Sequence, residues 1–415
     1  MGRVFAENQM IESRKIKVST LEFYLNIIAI VLILVSEINF YTPESIKVYS
    51  VLTMIGMVIS YSLGVQYFRY RVRLNHFIIW ISVIYFMFCV YGIFFLRSGV
   101  FPIDSILYRY FENIALYLSI SSILRKNYIK ITLPFVLAGL FSIIYLISKE
   151  GAYILSGGVR IGSSLSGNVN SVGFNFGLVS SLLAWRYCIT KNKRDMILFL
   201  VFVIFMLLTG SKKTLFFLLT NLFIFYHHNR HKAIIWLKVI LSFFFLWILI
   251  FKIPYFYSIM GVRIEQMLLT LLGDSNALTY SYSTDMREKM LVESLHFFLE
   301  HPIFGGGWNY FGLKTTLNYD YSHSNIAELS VTFGLMGLFT YYARYIYNIY
   351  ISLNGLRDLA NKKKNNFSLL SFSLVSTILF IEWSAVTFSA QVFWYLPIII
   401  SCAMLNEILQ KSESK

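Results

Sequence analysis

Apolar stretches long enough to cross a membrane recur along the whole chain. A helix needs roughly 17 to 25 apolar residues to span about 30 Å of hydrocarbon. The pattern predicts about twelve transmembrane helices, near residues 21–39, 48–66, 76–96, 106–124, 129–148, 171–189, 195–210, 212–228, 233–251, 326–351, 367–386 and 391–409. We therefore predict an all-α polytopic membrane protein with a single transmembrane domain over residues 1–415.

Two polar connections are longer than a helix bundle needs, at residues 149–170 and 252–324. Residues 283–312 of the second predict an amphipathic helix followed by a glycine turn. The apolar residues of this helix recur at helical spacing: Met286, Met290, Leu291, Leu295 and Phe298. Its apolar face is expected on the bilayer surface or on the bundle, and a helix that simply closes the bundle fits equally well.

Composition and charge support the same topology. The chain has 415 residues, of which 57% are hydrophobic, and its formal net charge is +15. Basic residues fill every second connection: Arg14, Lys15, Lys17; Arg69, Arg71, Arg73; Arg125, Lys126, Lys130; Lys191, Lys193, Arg194; Arg230, Lys232; Arg357, Lys362, Lys363 and Lys364. The positive-inside rule makes these connections and both termini cytoplasmic, and the long 252–324 loop extracytoplasmic. Short basic loops of this kind argue against nucleic-acid binding.

A pair of lysines breaks this charge pattern in the short outer connection "LLTGSKKTLFFLLTN" (207–221). Lysine at a membrane boundary can simply extend its ammonium group to water. Lys212 and Lys213 beside Ser211 also suit a diphosphate, because ammonium groups, a hydroxyl and free amides at a helix start all favour anions. Both interpretations remain open from the residues alone.

The stretch "GGVRIGSSLSGNVNSVGFNFG" (157–177) places one arginine before a span that begins near two asparagines. The Arg160 guanidinium matches phosphate or carboxylate oxygens, and Asn168 and Asn170 offer paired hydrogen bonds to sugar hydroxyls. A solvated loop and a helix cap would look the same. Arg287, near the start of the predicted surface helix, is unfavourable to the helix dipole unless an anion lies nearby.

A histidine stands immediately before a long apolar run in "YSHSNIAELSVTFGLMGLF" (321–339). A neutral imidazole is the commonest general base near pH 7, so His323 is a candidate catalytic residue. An ordinary interfacial histidine is the alternative. Asn325 and Glu328 are candidate glycan-binding residues that can also form a capping box, and Glu382 can face the same cavity or be structural.

Three segments occur in an order typical of one family. "RIGSSLSGNVNSVGF" (160–174) and "LTGSKKTLFFLL" (208–219) are similar to its outer-loop arginine and its Ser-Arg or Ser-Lys element. "MREKMLVESLHFFLEHPIFGGGWNYF" (286–311) and "SHSNIAELSVTFGLMGLF" (322–339) are similar to its arginine, His-Pro-apolar-Gly-x-Gly, His-x-Asn and Gly-x-x-Gly elements. The chain thus resembles the bacterial O-antigen polymerase and O-antigen ligase superfamily, which includes capsule and exopolysaccharide polymerases.

The resemblance implies a glycosyltransferase of the GT-C type that uses undecaprenyl-diphosphate-linked glycans at the outer face of the bacterial cytoplasmic membrane. Carried over by position, His323 would activate the acceptor hydroxyl, and Arg160, Lys212 with Lys213, and Arg287 would hold the donor diphosphate. Fixed cations can stabilise a diphosphate leaving group, so neither metal nor cofactor is expected. Two departures from the family pattern are lysine at 212, where arginine is commoner, and the missing Asn-Pro near Asn170.

The resemblance also implies membrane lipids and a chain-length regulator and flippase of the same pathway as partners. A polysaccharide polymerase is the first functional hypothesis. A ligase that transfers glycan to lipid A core differs from it in the acceptor, and a lipid-linked glycan flippase or transporter is an alternative of another class. A transporter predicts charged groups along a path across the bilayer, whereas the candidate residues cluster on one side.

Overall fold

The computed structural model describes residues 20–37, 43–69, 75–97, 99–157, 159–166, 168–228, 233–272, 278–357, 362–388 and 394–412. These residues form α-helices, in chain order α1 (Thr20–Glu37), α2 (Pro43–Arg69), α3 (His76–Phe94), α4 (Ile103–Asn127), α5 (Thr132–Ser156), α6 (Ser163–Ser166), α7 (Val169–Thr190), α8 (Lys193–Leu208), α9 (Lys212–His228), α10 (Ala233–Lys252), α11 (Pro254–Phe256), α12 (Val262–Leu271), α13 (Leu278–Glu300), α14 (Tyr310–Lys314), α15 (Asn325–Arg357), α16 (Lys362–Glu382) and α17 (Leu396–Ser412). Tyr128–Ile131 is a 3₁₀ turn and Tyr257–Gly261 a π turn. Within these ranges strand pairing is limited to an isolated bridge between Leu96 and Trp308.

Each of the twelve predicted apolar segments overlaps one of these helices. Six helical segments are long and apolar enough to cross a membrane, one of them the 54-residue Ile103–Ser156 that contains α4 and α5. A seventh span results if the bent pair Phe244–Lys252 and Pro254–Leu269 counts as one. The all-α, membrane-spanning character of the chain is confirmed, while the number of twelve spans stays a prediction.

The bend between α10 and α12 changes the start of the predicted long loop. The two helical segments meet at 81°, at a break where Pro254 follows Ile253. Proline has no N–H to continue the hydrogen-bond ladder and disfavours the helical region for the preceding residue, so α10 ends there. The chain after Lys252 therefore continues as helix, and α12 leaves the line of α10.

Helix α15 is broken at Gly334, where the predicted span was continuous. Gly334 has φ 64°, and a Cβ there would collide with the backbone of Ile303 and Gly305. The "HPIFGGG" turn docks on this break: Leu335 donates to the Pro302 carbonyl at 2.9 Å, and Gly306 donates to the Val331 carbonyl at 2.7 Å. The turn thus satisfies backbone groups that the broken helix leaves unpaired.

Helix α13 occupies the predicted surface-helix segment and packs on the bundle through a narrower face than its sequence suggests. Met290 and Phe297 are buried in a small cluster with Tyr310, Phe311 and Val331. The Leu295 side chain is 59% exposed, and its exposed neighbours on the helix are Val292 and Leu299. Contact of this second apolar face with the bilayer surface stays a prediction.

Helix directions determine which residues share an end of the bundle. Trp185 near the end of α7 donates to the Asn366 carbonyl near the start of α16, so α7 and α16 are antiparallel. The Phe174 ring near the start of α7 meets the Phe217 ring near the start of α9 edge to face, with the ring centroids 4.8 Å apart, so these two helices begin together. The 22 residues of α7 span about 33 Å, which separates Asn168 from the basic connection after Thr190.

Candidate active site

A cavity of about 880 Å³ lies where α7, α9 and α15 begin and α16 ends. Its volume is within the range of about 300–1,000 Å³ that is typical of ligand pockets. Its polar lining comprises basic, amide, acidic and hydroxyl groups and one imidazole: Arg109, Asn168, Asn170, Ser171, Lys212, Lys213, Arg263, Arg287, Asn309, Asp320, Tyr321, His323, Glu328, Thr332 and Ser384. Its aromatic lining is Phe216, Trp308, Phe380, Phe388 and Trp394. Cations, amides and aromatic rings therefore line the same cavity.

The paired lysines begin α9 and both line the cavity. The Lys213 ammonium group donates a hydrogen bond to the backbone carbonyl of Ser384, just past the end of α16. Lys212 lies close enough to Arg160, Arg263 and Arg287 for their charges to interact. Because the positive end of the α9 dipole adds to these charges, this corner of the cavity favours anions.

Arg160 lies beside this corner and is held by two acceptors. Its Nε donates to the Thr209 carbonyl at 2.7 Å, and its Nη2 donates to Asn170 Oδ1 at 3.1 Å. Burial, and then the charge of Arg263, lower the pKa of Arg160 to about 10, so it stays cationic at neutral pH. Arg160 is not itself in the cavity lining, but its partner Asn170 is.

The turn before the lysines fits closely around Arg160. Gly210 has φ 60°, in the left-handed region. A Cβ at this position would lie 3.0 Å from the Ile259 carbonyl oxygen and 3.1 Å from Cγ of Arg160. Glycine therefore allows the arginine side chain to cross the turn that leads into α9.

Two arginines from residues 252–324 join this cationic group. Arg287, on α13, has an exposed side chain and lines the cavity, and its role in holding the donor diphosphate stays a prediction. Arg263, on α12, also lines the cavity and was missed by the sequence reasoning. The sequence does contain a feature that indicates Arg263: it is a basic residue in a segment that the positive-inside rule assigns to the outer side.

His323 lies at the cavity wall in a backbone conformation that is rare for histidine, with φ 59°. The ring of Tyr321 is 4.5 Å from the imidazole centroid and that of Tyr319 is 5.7 Å away, both edge-on. Burial, then Arg287 and Lys213, lower the pKa of His323 to about 4. The imidazole is therefore neutral at pH 7 and can accept a proton.

The turn that carries His323 is fixed by a buried carboxylate. Glu328 accepts a hydrogen bond from the backbone N–H of Ser322 at 2.8 Å, and the Ser322 hydroxyl donates to the Ser324 carbonyl at 3.1 Å. Glu328 lines the cavity, but this contact explains its position without a ligand. A role in glycan binding stays a prediction for Glu328.

The other predicted glycan-binding residues divide between the cavity wall and the protein interior. Asn168 and Asn170 line the cavity, with the Asn168 side chain accepting from the Asn170 N–H at 3.0 Å as the cap of α7. Ser211 is buried outside the lining, and its hydroxyl accepts from Thr214 at 2.9 Å.

Asn325 and Glu382 join helices instead of facing the cavity. Asn325 Oδ1 accepts the backbone N–H groups of Thr387 and Phe388 at 2.8 and 2.9 Å. The buried Glu382 accepts from the Thr387 hydroxyl at 2.6 Å and from the Tyr345 hydroxyl at 3.2 Å. Neither side chain is part of the cavity lining, so the structure separates both from the predicted site.

Residues 197–342 match the family model described as O-antigen ligase. This matched segment contains Lys212, Lys213, Arg263, Arg287 and His323, and the match confirms the resemblance to the O-antigen ligase and polymerase superfamily. No curated protein matches the chain. The apolar helices and the family match together indicate an integral membrane protein, and members of the matching family are glycosyl-transfer enzymes.

Proposed function

We propose that this O-antigen ligase-family protein polymerises undecaprenyl-diphosphate-linked oligosaccharide repeat units of O-antigen, capsule or exopolysaccharide. The observation that carries the proposal is the cluster of Lys212, Lys213, Arg263 and Arg287 beside the neutral imidazole of His323 in one cavity. A diphosphate requires fixed cations, and the attacking hydroxyl requires a base. The lining of this one cavity supplies both the cations and the base.

The position of the cavity in the bundle supports a reaction at the outer face of the cytoplasmic membrane. The cavity lies where α7 and α9 begin, about 33 Å along α7 from its C-terminal end. Lys191, Lys193 and Arg194 lie at that C-terminal end, which the positive-inside rule assigns to the cytoplasm. The reaction is therefore proposed on the opposite side, with both termini cytoplasmic.

The cations are proposed to hold the donor diphosphate and to stabilise it as it leaves. Arg160, Arg263 and Arg287 offer planar forks of N–H groups that match phosphate oxygens, while Lys212 and Lys213 act as compact charges. The bond from the anomeric carbon to the phosphate oxygen breaks, and its electron pair leaves with the polyprenyl diphosphate. The negative charge that grows on this oxygen is met by cations already in position.

His323 is proposed as the general base for the acceptor. The acceptor hydroxyl oxygen forms a new bond to the anomeric carbon while Nδ1 or Nε2 of the imidazole takes the hydroxyl proton. Such a single displacement inverts the configuration at the anomeric carbon. The proton then leaves to solvent through the cavity, which restores the neutral imidazole for the next transfer.

The reaction is proposed to be metal-independent because arginine and lysine side chains supply the charge that a divalent cation supplies in other phosphate-transfer sites. We expect transfer by the purified protein to continue at its full rate after treatment with EDTA and dialysis. A large loss that added Mg²⁺ or Mn²⁺ restores would contradict this part of the proposal.

A ligase is the second candidate, favoured by the match of residues 197–342 to the O-antigen ligase family model. It would use the same cavity and the same residues, with lipid A core as the acceptor in place of a second repeat unit. A flippase has less support, because the grouped cations lie at one end of the bundle instead of along a path through it.

Reconstituted transfer tests the proposal directly. Purified protein in liposomes is given undecaprenyl-diphosphate-linked repeat units alone, and in a parallel reaction the same donor with lipid A core. We expect a ladder of extended lipid-linked glycans in the first reaction, and no ladder with His323→Ala. Product formed only on lipid A core would establish the ligase instead, and transport of the donor without any new glycosidic bond would refute both enzymes.

A further inference from the structure

A buried carboxylate near the end of α5 is not used by the proposed reaction. Glu150 is 4% exposed. Its Oε2 accepts the backbone N–H of Gly162 at 2.6 Å, and its Oε1 accepts that of Ser164 at 2.7 Å. The Ser163 hydroxyl donates to Oε1 at 3.5 Å. One carboxylate therefore binds three consecutive residues of the loop between α5 and α7, with charge-assisted hydrogen bonds to two of them.

The loop held in this way carries Arg160. Immediately before Gly162, the backbone N–H of the buried Ile161 donates to the Leu208 carbonyl at 3.2 Å. The Arg160 side chain then reaches Thr209 and Asn170 through the hydrogen bonds described above. Glu150 thus fixes one side of a short segment whose other side is fixed to the turn before α9.

The effect of Glu150 on Arg160 passes through the backbone. Arg263 and Lys212 are charged neighbours of the Arg160 guanidinium, and both oxygens of Glu150 accept hydrogen bonds from the loop. With Nε and Nη2 each holding one acceptor, the remaining N–H groups of Arg160 have no partner among the described residues. They stay available for an anion only while the loop keeps its shape.

We propose that Glu150 is a positioning residue that holds the 159–164 loop so that Arg160 is ready for the donor diphosphate. The inference rests on the proposed function for the identity of the anion, but the hold on the loop does not depend on it. Glu150 and Arg160 both lie outside residues 197–342, so this part of the site comes from the preceding helices.

The first test is a double-mutant cycle on the affinity for undecaprenyl diphosphate in detergent. Glu150→Gln replaces one accepting oxygen by an NH₂ group, and we expect it to weaken binding about tenfold, as loss of a supporting residue typically does. Arg160→Ala should weaken binding at least as much. Because Glu150 acts through Arg160, the double variant should bind as Arg160→Ala alone does.

Glu22→Gln is the matched control, because it removes a carboxylate paired with Lys126 at the other end of the bundle. We expect its affinity to equal that of the parent. Losses from Glu150→Gln and Arg160→Ala that simply add, or unchanged affinity in either variant while the parent binds, would overturn the positioning role.

Hydrogen–deuterium exchange of the peptide covering residues 159–166 gives a readout that needs no ligand. Glu150→Gln should raise its exchange at least tenfold, Glu150→Asp should raise it less, and Glu22→Gln should leave it unchanged. Unchanged exchange in Glu150→Gln would overturn the inference. If the parent binds no undecaprenyl diphosphate, the proposed function fails, and this exchange measurement still decides whether Glu150 holds the loop.

Discussion

The two ends of the helix bundle hold their basic residues in different ways. At the end away from the cavity, Lys126 pairs with Glu22 and Arg186 pairs with Asp195, each at 3.0 Å. The positive-inside rule predicts that these cations help to orient the chain in the membrane, and the carboxylates offset their charges. These basic side chains are therefore already paired with carboxylates of the same protein.

At the cavity end, cations face each other instead. Within the described part of the chain, Arg160, Arg263 and Arg287 form no salt bridge with a carboxylate. The nearby carboxylates Glu150 and Glu328 accept backbone N–H groups. Repulsion among cations destabilises the folded protein until an anion binds. The difference between the ends supports the proposal that the cavity receives an anion from outside the chain.

The largest expected effect comes from removing the imidazole. His323→Ala should lower the transfer rate about a thousandfold, because a positioned general base contributes roughly 10²- to 10⁴-fold. Its affinity for undecaprenyl diphosphate should change little. His301→Ala, at an exposed histidine outside the cavity lining, is the control and should keep the parental rate. Equal transfer rates for His323→Ala and the parent would show that His323 takes no part in the reaction.

Removing one unpaired cation should have the next largest effect. Arg287→Ala should reduce kcat/KM for the donor about a hundredfold, since a fixed charge at a developing anion contributes roughly 10²- to 10³-fold. Lys126→Ala at the other end should change kcat/KM less than twofold. Similar losses in the two variants would mean that the ends do not differ in function.

The pH dependence of kcat/KM tests whether Arg287 lies close to His323. Since the pKa of His323 is lowered to about 4, kcat/KM should stay level from neutral pH to about pH 5 and fall below that. Arg287→Gln removes one cation that lowers this pKa, so the acid limb should move to higher pH. The limb for kcat should lie above that for kcat/KM, because bound diphosphate favours the imidazolium. An unmoved limb in Arg287→Gln would contradict the proposed proximity.

A smaller effect on activity, with a clear effect on stability, is expected at Asn325. Asn325→Leu leaves the buried N–H groups of Thr387 and Phe388 without their acceptor, which costs about 1–3 kcal/mol for each group. The thermal midpoint in detergent should fall, while KM for the donor stays within about threefold of the parent. A large rise in KM at an unchanged midpoint would place Asn325 in the substrate site.

Hydropathy and charge alone were enough for most of the fold. All twelve predicted segments overlap helices, and six helical segments are long and apolar enough to span a membrane, because a span must be long and apolar whatever its packing. The break at Gly334 was not predictable in this way. It depends on the docking of Ile303 and Gly305 from a distant turn, and a glycine in an apolar run does not reveal which backbone will approach it.

The site was partly predictable for the same physical reason. Lys212 and Arg287 were predicted because cations are rare on the side that the positive-inside rule makes extracytoplasmic. Arg263 meets the same criterion, although it was not among the predicted residues. The sequence could not separate buried polar groups that join helices from those that face the cavity. Asn325 and Glu150 accept backbone N–H groups of distant segments, whereas Asn170 lines the cavity, and these contacts arise only from the fold.

A cryo-electron microscopy structure of the protein with bound undecaprenyl diphosphate at neutral pH would show directly whether the cations of the cavity bind the diphosphate. We predict that the diphosphate lies in the cavity, within hydrogen-bond distance of about 3 Å of Lys212, Arg263 and Arg287, with His323 on the side where the glycan would attach. A diphosphate bound at the other end of the bundle, or in the cavity without contact to any of these cations, would contradict the account.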